Sequence, residues 1–518
     1  MNRKEFLQQL SLLSGGMAFG MGGIPVKAYA HNPFAVSMQS TEGKILVLVQ
    51  LAGGNDGLNT IVPYENSVYY NRRANIAIKK EQVLPLNTEL GLHPSMEALK
   101  GLYDGGRLTI LHSVGYPSPN RSHFRSTDIW LTASDANEVW DEGWAGRYLT
   151  KLYPGFPLQI PDQPMAIQLG SVESLLIQTD VGSTGVVFST PDSFNNLVRG
   201  TTIDTEPVPN TPAGEELRFL RQIATQSVAY ADIIKKKWDA ATKNVSPYPT
   251  TGLGNQLKIV GELIAGGLQT PVYLTTIGGF DTHANQVVAN ATHTGTHANL
   301  LKTVSDAVAA FQRDLEKRGI ADKVVVMTFS EFGRRVSQNG TTGTDHGSAA
   351  PLFVIGKGVR GGMIGKTPNL NDLDNNGDIK FQFDFRQVYS SVLQDHLGVD
   401  ASMVRTIMGG KDFTTLPIFK TTASPLLSEN PDFMLEQNFP NPFTIGEDTR
   451  IRYMLNKTMY MKLALYDMTG REVAILKEKI EQPGNYMEIV QGYSLVPGYY
   501  LCALHTETGQ KVIRLVRY

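Results

Sequence analysis

At 518 residues, with 41% hydrophobic and 19% charged side chains, the chain is too long for one ordinary core and has the make-up of a globular rather than a disordered protein. A formal net charge of -2 excludes the strongly basic balance that accompanies polyanion binding, so nucleic acid is not an expected partner. Cys502 is the single cysteine, which rules out an intrachain disulfide.

In chain order, residues 1–30 read as an export signal. Arg3 and Lys4 form a basic start, Phe6 to Ile24 is apolar and Gly-rich, and Ala28-Tyr29-Ala30 supplies a small-x-small cleavage site. Asn2-Arg3-Lys4-Glu5-Phe6-Leu7 resembles a twin-arginine motif with lysine in the second basic place, which leaves both that route and general secretion open. Beyond this segment no apolar run is long enough to span a bilayer.

Residues 31–415 alternate strand and helix patterns. Lys44 to Leu51 is a continuous apolar strand ending in Gly53-Gly54-Asn55-Asp56-Gly57. Arg107 to Val114 is a second strand, and Pro271 to Ile277 a third that ends in Gly278-Gly279-Phe280-Asp281-Thr282-His283. Leu300 to Lys317 carries apolar residues at helical spacing. Val324 to Phe329 and Leu352 to Ile355 read as further strands, and Phe385 to Leu397 as a helix. Strands apolar on both faces and separated by helices predict an α/β fold with a mostly parallel central sheet flanked by helices. Ligands of such sheets bind beyond the carboxyl ends of the strands, where Asp56, Asp281, His283 and Glu331 fall.

Those four, with Asp345 and His346, form a set of carboxylates and imidazoles that would repel or titrate abnormally without a cation among them. Asp281-x-His283 puts two side chains on one side of an extended segment. Zinc, manganese, iron, calcium and magnesium all stay open as the divalent metal, since mixed nitrogen and oxygen donors suit the first three and oxygen-rich sites the last two. Asn120-Arg121-Ser122-His123-Phe124-Arg125 follows the second strand. A hydroxyl at Ser122 would sit at the positive end of a helix, where Arg121 and Arg125 are able to grip a phosphate or sulfate. The plain alternative is that Ser122 caps the helix. Asp372-x-Asp374-x-Asn376-Gly377-Asp378 matches half of a calcium loop but closes on Phe383, so an Asn-Gly turn is expected there. His293 and His297 are expected at the surface.

Five motifs together resemble an uncharacterised family of exported, sulfatase-like proteins of the alkaline phosphatase superfamily, over about Lys44 to Gly409. They are Leu51-Ala-Gly-Gly-Asn-Asp-Gly57, Asn120-Arg-Ser-His-Phe124, Gly278-Gly-Phe-Asp-Thr-His283, Ser330-Glu-Phe-Gly-Arg334 and Thr344-Asp-His-Gly347. The resemblance implies Asp56 and Ser122 at one metal, and Asp281, His283 and His346 at another, with Ser122 as the nucleophile and Arg121, His123 and Arg125 around it. Glu331 stands where the superfamily has an aspartate ligand, whereas Phe332 stands in place of its histidine. The implied activity is hydrolysis of small or glycan-linked phosphate or sulfate esters, and the alternative is an inactive, metal-stabilised surface binding protein.

Residues 416–432 are rich in Thr, Ser and Pro and read as a linker. Beyond them, short strands at Thr449 to Leu455, Met459 to Met468, Ile480 to Val490, Gly498 to Glu507 and Lys511 to Arg517 predict a small all-β, immunoglobulin-like sandwich over 433–518. Leu435-Glu-Gln-Asn-Phe-Pro-Asn-Pro-Phe443, Leu465-Tyr-Asp-Met-Thr-Gly-Arg-Glu-Val473, Gly484-Asn-Tyr486 and Pro497-Gly-Tyr-Tyr500 resemble a type IX secretion sorting domain. That resemblance implies the type IX machinery as a partner, passage through the periplasm, and a cell-surface or extracellular destination.

Overall fold

The computed structural model describes residues 43–518 apart from 158, 200–207, 210, 421–431, 437, 468–470 and 508. The segment read as an export signal lies outside the described residues. Two compact units divide the chain at Lys420.

The first unit is built on a nine-stranded sheet. Its strands are β1 (Ile45–Leu51), β2 (Leu108–Gly115), β3 (Ala166–Leu169), β4 (Gly185–Phe188), β5 (Val272–Ile277), β6 (Val324–Phe329), β7 (Ala350–Ile355), β8 (Gly362–Ile364) and β9 (Phe383–Asp384). The order is β8-β2-β7-β6-β1-β5-β3-β4, with β9 also pairing with β2. All pairings are parallel except the two that β7 makes, with β6 and β2. The chain is thus an α/β protein with a mostly parallel central sheet flanked by helices. The run Val-Val-Val-Met-Thr-Phe of β6 is buried at every position, as a central strand covered on both faces must be.

Register explains where the site lies. In the parallel pairs, Leu51 of β1 faces Ile277 of β5, and Gln50 faces Phe329 of β6. The three strands therefore end at one level, and the segments carrying Asp56, Asp281 and Glu331 emerge side by side. Thr296–Lys317 is a 22-residue helix whose Leu301, Val304, Val308, Phe311 and Leu315 are buried in one core with Val47 and Val49 of β1. Each such apolar side chain contributes about 1.5–3 kcal/mol on burial.

Some boundaries differ from the sequence expectation. The helix read over Phe385 to Leu397 is α-helical only over Phe385–Ser391, with a capping box between Asp384 and Gln387, and continues as a π turn over Val392–His396. Leu416 and Ile418 are buried, and Lys420 donates its backbone N–H to Gly358, so the first unit absorbs the start of the expected linker. The rest of that linker, 421–431, lies outside the described residues.

The second unit holds two antiparallel sheets. One has the order Phe433–Leu435, Thr449–Leu455, Gly484–Val490, and the other Glu472–Glu481, Met459–Asp467, Gly498–Thr506, Gly509–Arg517. They share one apolar core that includes Phe443, Ile451, Met461, Leu463, Cys502 and Leu515. The single strand expected over Ile480 to Val490 is two strands, because Pro483 lacks the N–H that a continuous ladder needs.

Candidate metal centre

The turn after β1 is shaped by two glycines. Gly53 has φ +122, and a Cβ there would lie 2.3 Å from the backbone nitrogen of Asp281. Gly54 has φ +75, and a Cβ there would lie 2.3 Å from Cε2 of Phe332. Only glycine lets these three strand ends approach so closely.

Four side chains converge at this edge. Nε2 of His283 and of His346 are 2.8 Å apart, and they lie 3.2 Å and 3.3 Å from Oδ1 of Asp281. Nε2 of His123 lies 3.4 Å from Oδ2 of the same carboxylate. His123, Asp281 and His346 each offer a ligand atom within 4.8 Å of the others. Donors bound to one cation at about 2.1 Å sit roughly 3–3.4 Å apart, so the spacing is that of a ligand set.

Each imidazole is anchored through its other nitrogen. Nδ1 of His123 meets Oε1 of Glu331 at 2.7 Å, Nδ1 of His346 meets the carbonyl of Arg121 at 2.8 Å, and Nδ1 of His283 meets Oδ1 of Asp345 at 3.2 Å. An ionised carboxylate or a carbonyl only accepts, so the proton belongs on Nδ1 and the lone pair on Nε2 faces the cluster. Two bare nitrogens 2.8 Å apart repel unless a cation lies between them. Burial lowers the pKa of His346 against the opposing pull of its bonds to Arg121 and Asp281, which favours the neutral, ligating form. At Asp281 burial raises the carboxyl pKa, but the hydrogen bond and charge of Arg334, with the imidazoles alongside, outweigh it and leave the group at about 2. The donor set therefore fits a divalent metal of the kind that takes mixed imidazole and carboxylate ligands.

The other residues singled out in the sequence take different places. Glu331 is buried, and its Oε1 accepts the Gly53 N–H at 2.8 Å as well as His123, so it supports a donor rather than joining the donors. Asp345 is exposed and accepts from Asn339 Nδ2 at 3.1 Å while meeting His283. Asp56 is fully buried and is taken up by Arg73, Nη1 to Oδ2 at 2.6 Å with neither side chain exposed, so it does not sit with Ser122 at a metal. Burial raises the Asp56 pKa, and the Arg73 charge overcomes that and holds the carboxyl below its usual range. Phe332 is buried and packs its ring 4.5 Å from that of His346 and 4.9 Å from that of His123, forming an aromatic wall of the cluster.

Ser122 is exposed at the N-cap of the helix His123–Thr132, and its side chain makes no capping hydrogen bond, contrary to the plain capping expectation. Arg121 pairs with the buried carboxylate of Asp378, Nε to Oδ2 at 3.0 Å. Arg125 turns away to the carbonyls of Asp135, Ala136 and Glu138, so it is not placed to grip an anion beside Ser122. The Asp372–Asp378 segment is an Asn-Gly turn: Oδ1 of Asp374 accepts the N–H groups of Asn376 and Asp378, and Lys380 neutralises Asp372. His297 is buried rather than at the surface, with Nε2 3.0 Å from Oδ1 of Asn55.

Sequence reasoning missed three residues that hold the centre together. Arg334, with no side-chain exposure, donates to the carbonyls of Gly54 and Thr344 and to Oδ1 of Asp281 at 2.7 Å. Its place in Ser-Glu-Phe-Gly-Arg was a signal, since a charge inside a strand-end motif demands a partner. Arg73 and Gln286 lie in unremarkable stretches and carry no local signal.

The fold and this donor set define the class: an α/β protein with a divalent-metal-type ligand cluster at the carboxyl edge of its parallel strands. The profile of the family described as "Protein of unknown function (DUF1501)" matches residues 268–408, which include Asp281, His283, Glu331, Asp345 and His346. Comparison with curated proteins finds no match. Among solved structures, the chain is similar to a Bacteroides thetaiotaomicron protein studied for metabolism of multiple glycosaminoglycans, at 12% identity over 85% of this chain and 90% of that one, with a TM-score of 0.33. It is also similar to an alkaline phosphatase superfamily protein from Vibrio parahaemolyticus, at 10% identity, 89% and 85% coverage and a TM-score of 0.34. A third is the lipoteichoic acid synthase LtaP from Listeria monocytogenes, at 12% identity, 93% and 90% coverage and a TM-score of 0.30.

Proposed function

We propose that the protein is an exported hydrolase that binds one divalent metal ion through Asp281, His283, His346 and His123 and acts on phosphate or sulfate esters. The observation that carries this is the convergence of three Nδ1-anchored imidazoles on one carboxylate. A cation held there supplies a concentrated positive charge beside the reacting ester. Ser122, exposed and flanked by His123 in the cluster and by Arg121, whose carbonyl holds His346, is the nucleophile. Its Oγ forms the new bond to phosphorus or sulfur, the ester oxygen leaves as the alcohol carrying the serine proton, and water then releases the serine. The helix N-terminus favours the anionic group in that position.

The C-terminal unit, by its sorting-domain motifs, addresses the chain to type IX secretion and the cell surface. A second reading, a non-catalytic metal-binding surface protein, draws support from Phe332 and from the Asp56–Arg73 pair, which leave a second metal without ligands. Assay of metal-loaded protein on aryl phosphates and aryl sulfates separates the two. Turnover that disappears in Ser122→Ala with metal content retained supports the hydrolase, and one bound metal without turnover supports the binding protein.

A further inference from the structure

Beneath the donors lies a buried polar network that neither ligates nor faces solvent. Gln286 is fully buried at its centre. Its amide nitrogen donates to Oδ2 of Asp56 at 2.6 Å, and its carbonyl oxygen accepts the hydroxyls of Thr282 at 3.0 Å and Thr344 at 2.9 Å. The carboxylate only accepts, so Asp56 dictates which end of the amide faces it and leaves the carbonyl end for the two threonines.

Those threonines are not arbitrary neighbours. Thr282 stands between Asp281 and His283, and Thr344 stands two residues before His346. The segments are also joined by the N–H of Thr344 on the carbonyl of Thr282 at 3.2 Å, and by the N–H of Gln286 on the carbonyl of Thr342 at 3.0 Å. Arg73 fixes Asp56 and extends the network to the strand Arg334–Gln338, which pairs antiparallel with Thr344–His346, donating to the carbonyls of Val336 at 2.9 Å and Arg335 at 2.7 Å. One amide thus clamps both segments that carry Asp281, His283 and His346, and a buried ion pair orients that amide.

We infer that Gln286, oriented by Asp56 and Arg73, is a positioning residue that sets the spacing of Asp281, His283 and His346 for the cation. This rests on the metal reading above. It also gives Asp56 a role other than ligation: it acts on the metal through Gln286 and the two hydroxyls. Ligand sets held by such outer partners lose about 10- to 100-fold in metal affinity when the partner is removed.

The test is a cobalt(II) titration of the full chain, read by visible absorption, together with the melting temperature of the same proteins stripped with a chelator. The wild type is expected to bind one cobalt ion. The Thr282→Val/Thr344→Val variant keeps side-chain shape and removes both hydroxyls, and is expected to bind cobalt about 10- to 100-fold more weakly with an altered spectrum. Thr282→Ser/Thr344→Ser is expected to recover affinity and spectrum to near wild type. The single Thr344→Val variant serves where the double variant does not fold, with a smaller loss in the same direction. Unchanged cobalt affinity and spectrum in a folded valine variant would overturn the positioning role while leaving the metal site standing. Absence of stoichiometric cobalt binding in the wild type would overturn the metal reading and this inference together.

Discussion

Asp56 and Asp281 follow adjacent parallel strands at one edge of one sheet, and each meets an arginine, yet they belong to different machines. Asp56 is wholly buried, with Arg73 and Gln286 on one oxygen. Asp281 is half-exposed, with one buried arginine behind it and three imidazole nitrogens in front. The lesson is that residue type and strand position do not separate a ligand from an anchor. Burial and partner count do: a carboxylate closed in with a guanidinium is already neutralised, while one facing bare imidazole nitrogens still calls for a cation.

This contrast breaks most visibly at Arg73. Arg73→Met leaves the Asp56 charge buried without its partner, and we expect a loss of about 3–5 kcal/mol in unfolding free energy, read by denaturant titration of the metal-free protein. A loss below about 1 kcal/mol would mean that Asp56 is not the anchor described. His346→Ala removes a donor whose side chain is partly buried at the edge of the cluster, and the fold should persist while metal affinity falls by about 100-fold or more, measured by competition with a chromogenic chelator. Glu331→Gln keeps the size of the group that orients His123 but replaces a charged acceptor with a neutral one. Metal affinity should then fall by about tenfold, with little change in the metal-free melting temperature.

The contrast between buried and open groups also sets the pH dependence. Burial pushes His112, His297 and His396 down to about 4, and burial with the neighbouring histidines pushes His93 down to about 3. The unfolded chain takes up these protons near 6.5, whereas the folded chain takes them up only near 4 or below. The unfolded state therefore binds more protons across that window, so stability should fall as pH drops from about 6.5 to about 4 and be insensitive to these groups above about 7.5. Urea midpoints measured across this range check it, and a midpoint that rises on acidification would contradict the buried, neutral assignment.

Much of the framework is legible in the chain. Continuous apolar runs such as Val324–Phe329 and the row Leu301, Val304, Val308, Phe311, Leu315 declare a two-sided sheet and a covering helix, because periodicity reports burial directly. The same apolar runs put Asp281 and His283 beyond a strand end, whereas His346 enters only through the Thr344-Asp-His-Gly347 motif. The strands Ala166–Leu169 and Gly185–Phe188 are too short for a periodic signal, and they escape notice in a stretch without motifs. The strand Glu472–Glu481 escapes because its charged, largely exposed sequence lacks an alternating pattern. At the site, chain position gives no hint that Glu331 backs His123, or that Asp56 pairs with Arg73 across 17 positions. Those assignments depend on which way side chains turn once three segments meet, and that is settled by tertiary contacts such as the Gly54–Phe332 approach.

The central claim is that one divalent ion binds among Asp281, His283, His346 and His123, and anomalous X-ray diffraction from crystals grown with zinc or manganese tests it most directly. The account predicts a single anomalous peak at about 2.0–2.2 Å from the Nε2 atoms of His283 and His346 and from a carboxylate oxygen of Asp281. A peak beside Asp56 in place of Arg73, or no peak at the His283–His346 pair, would contradict it.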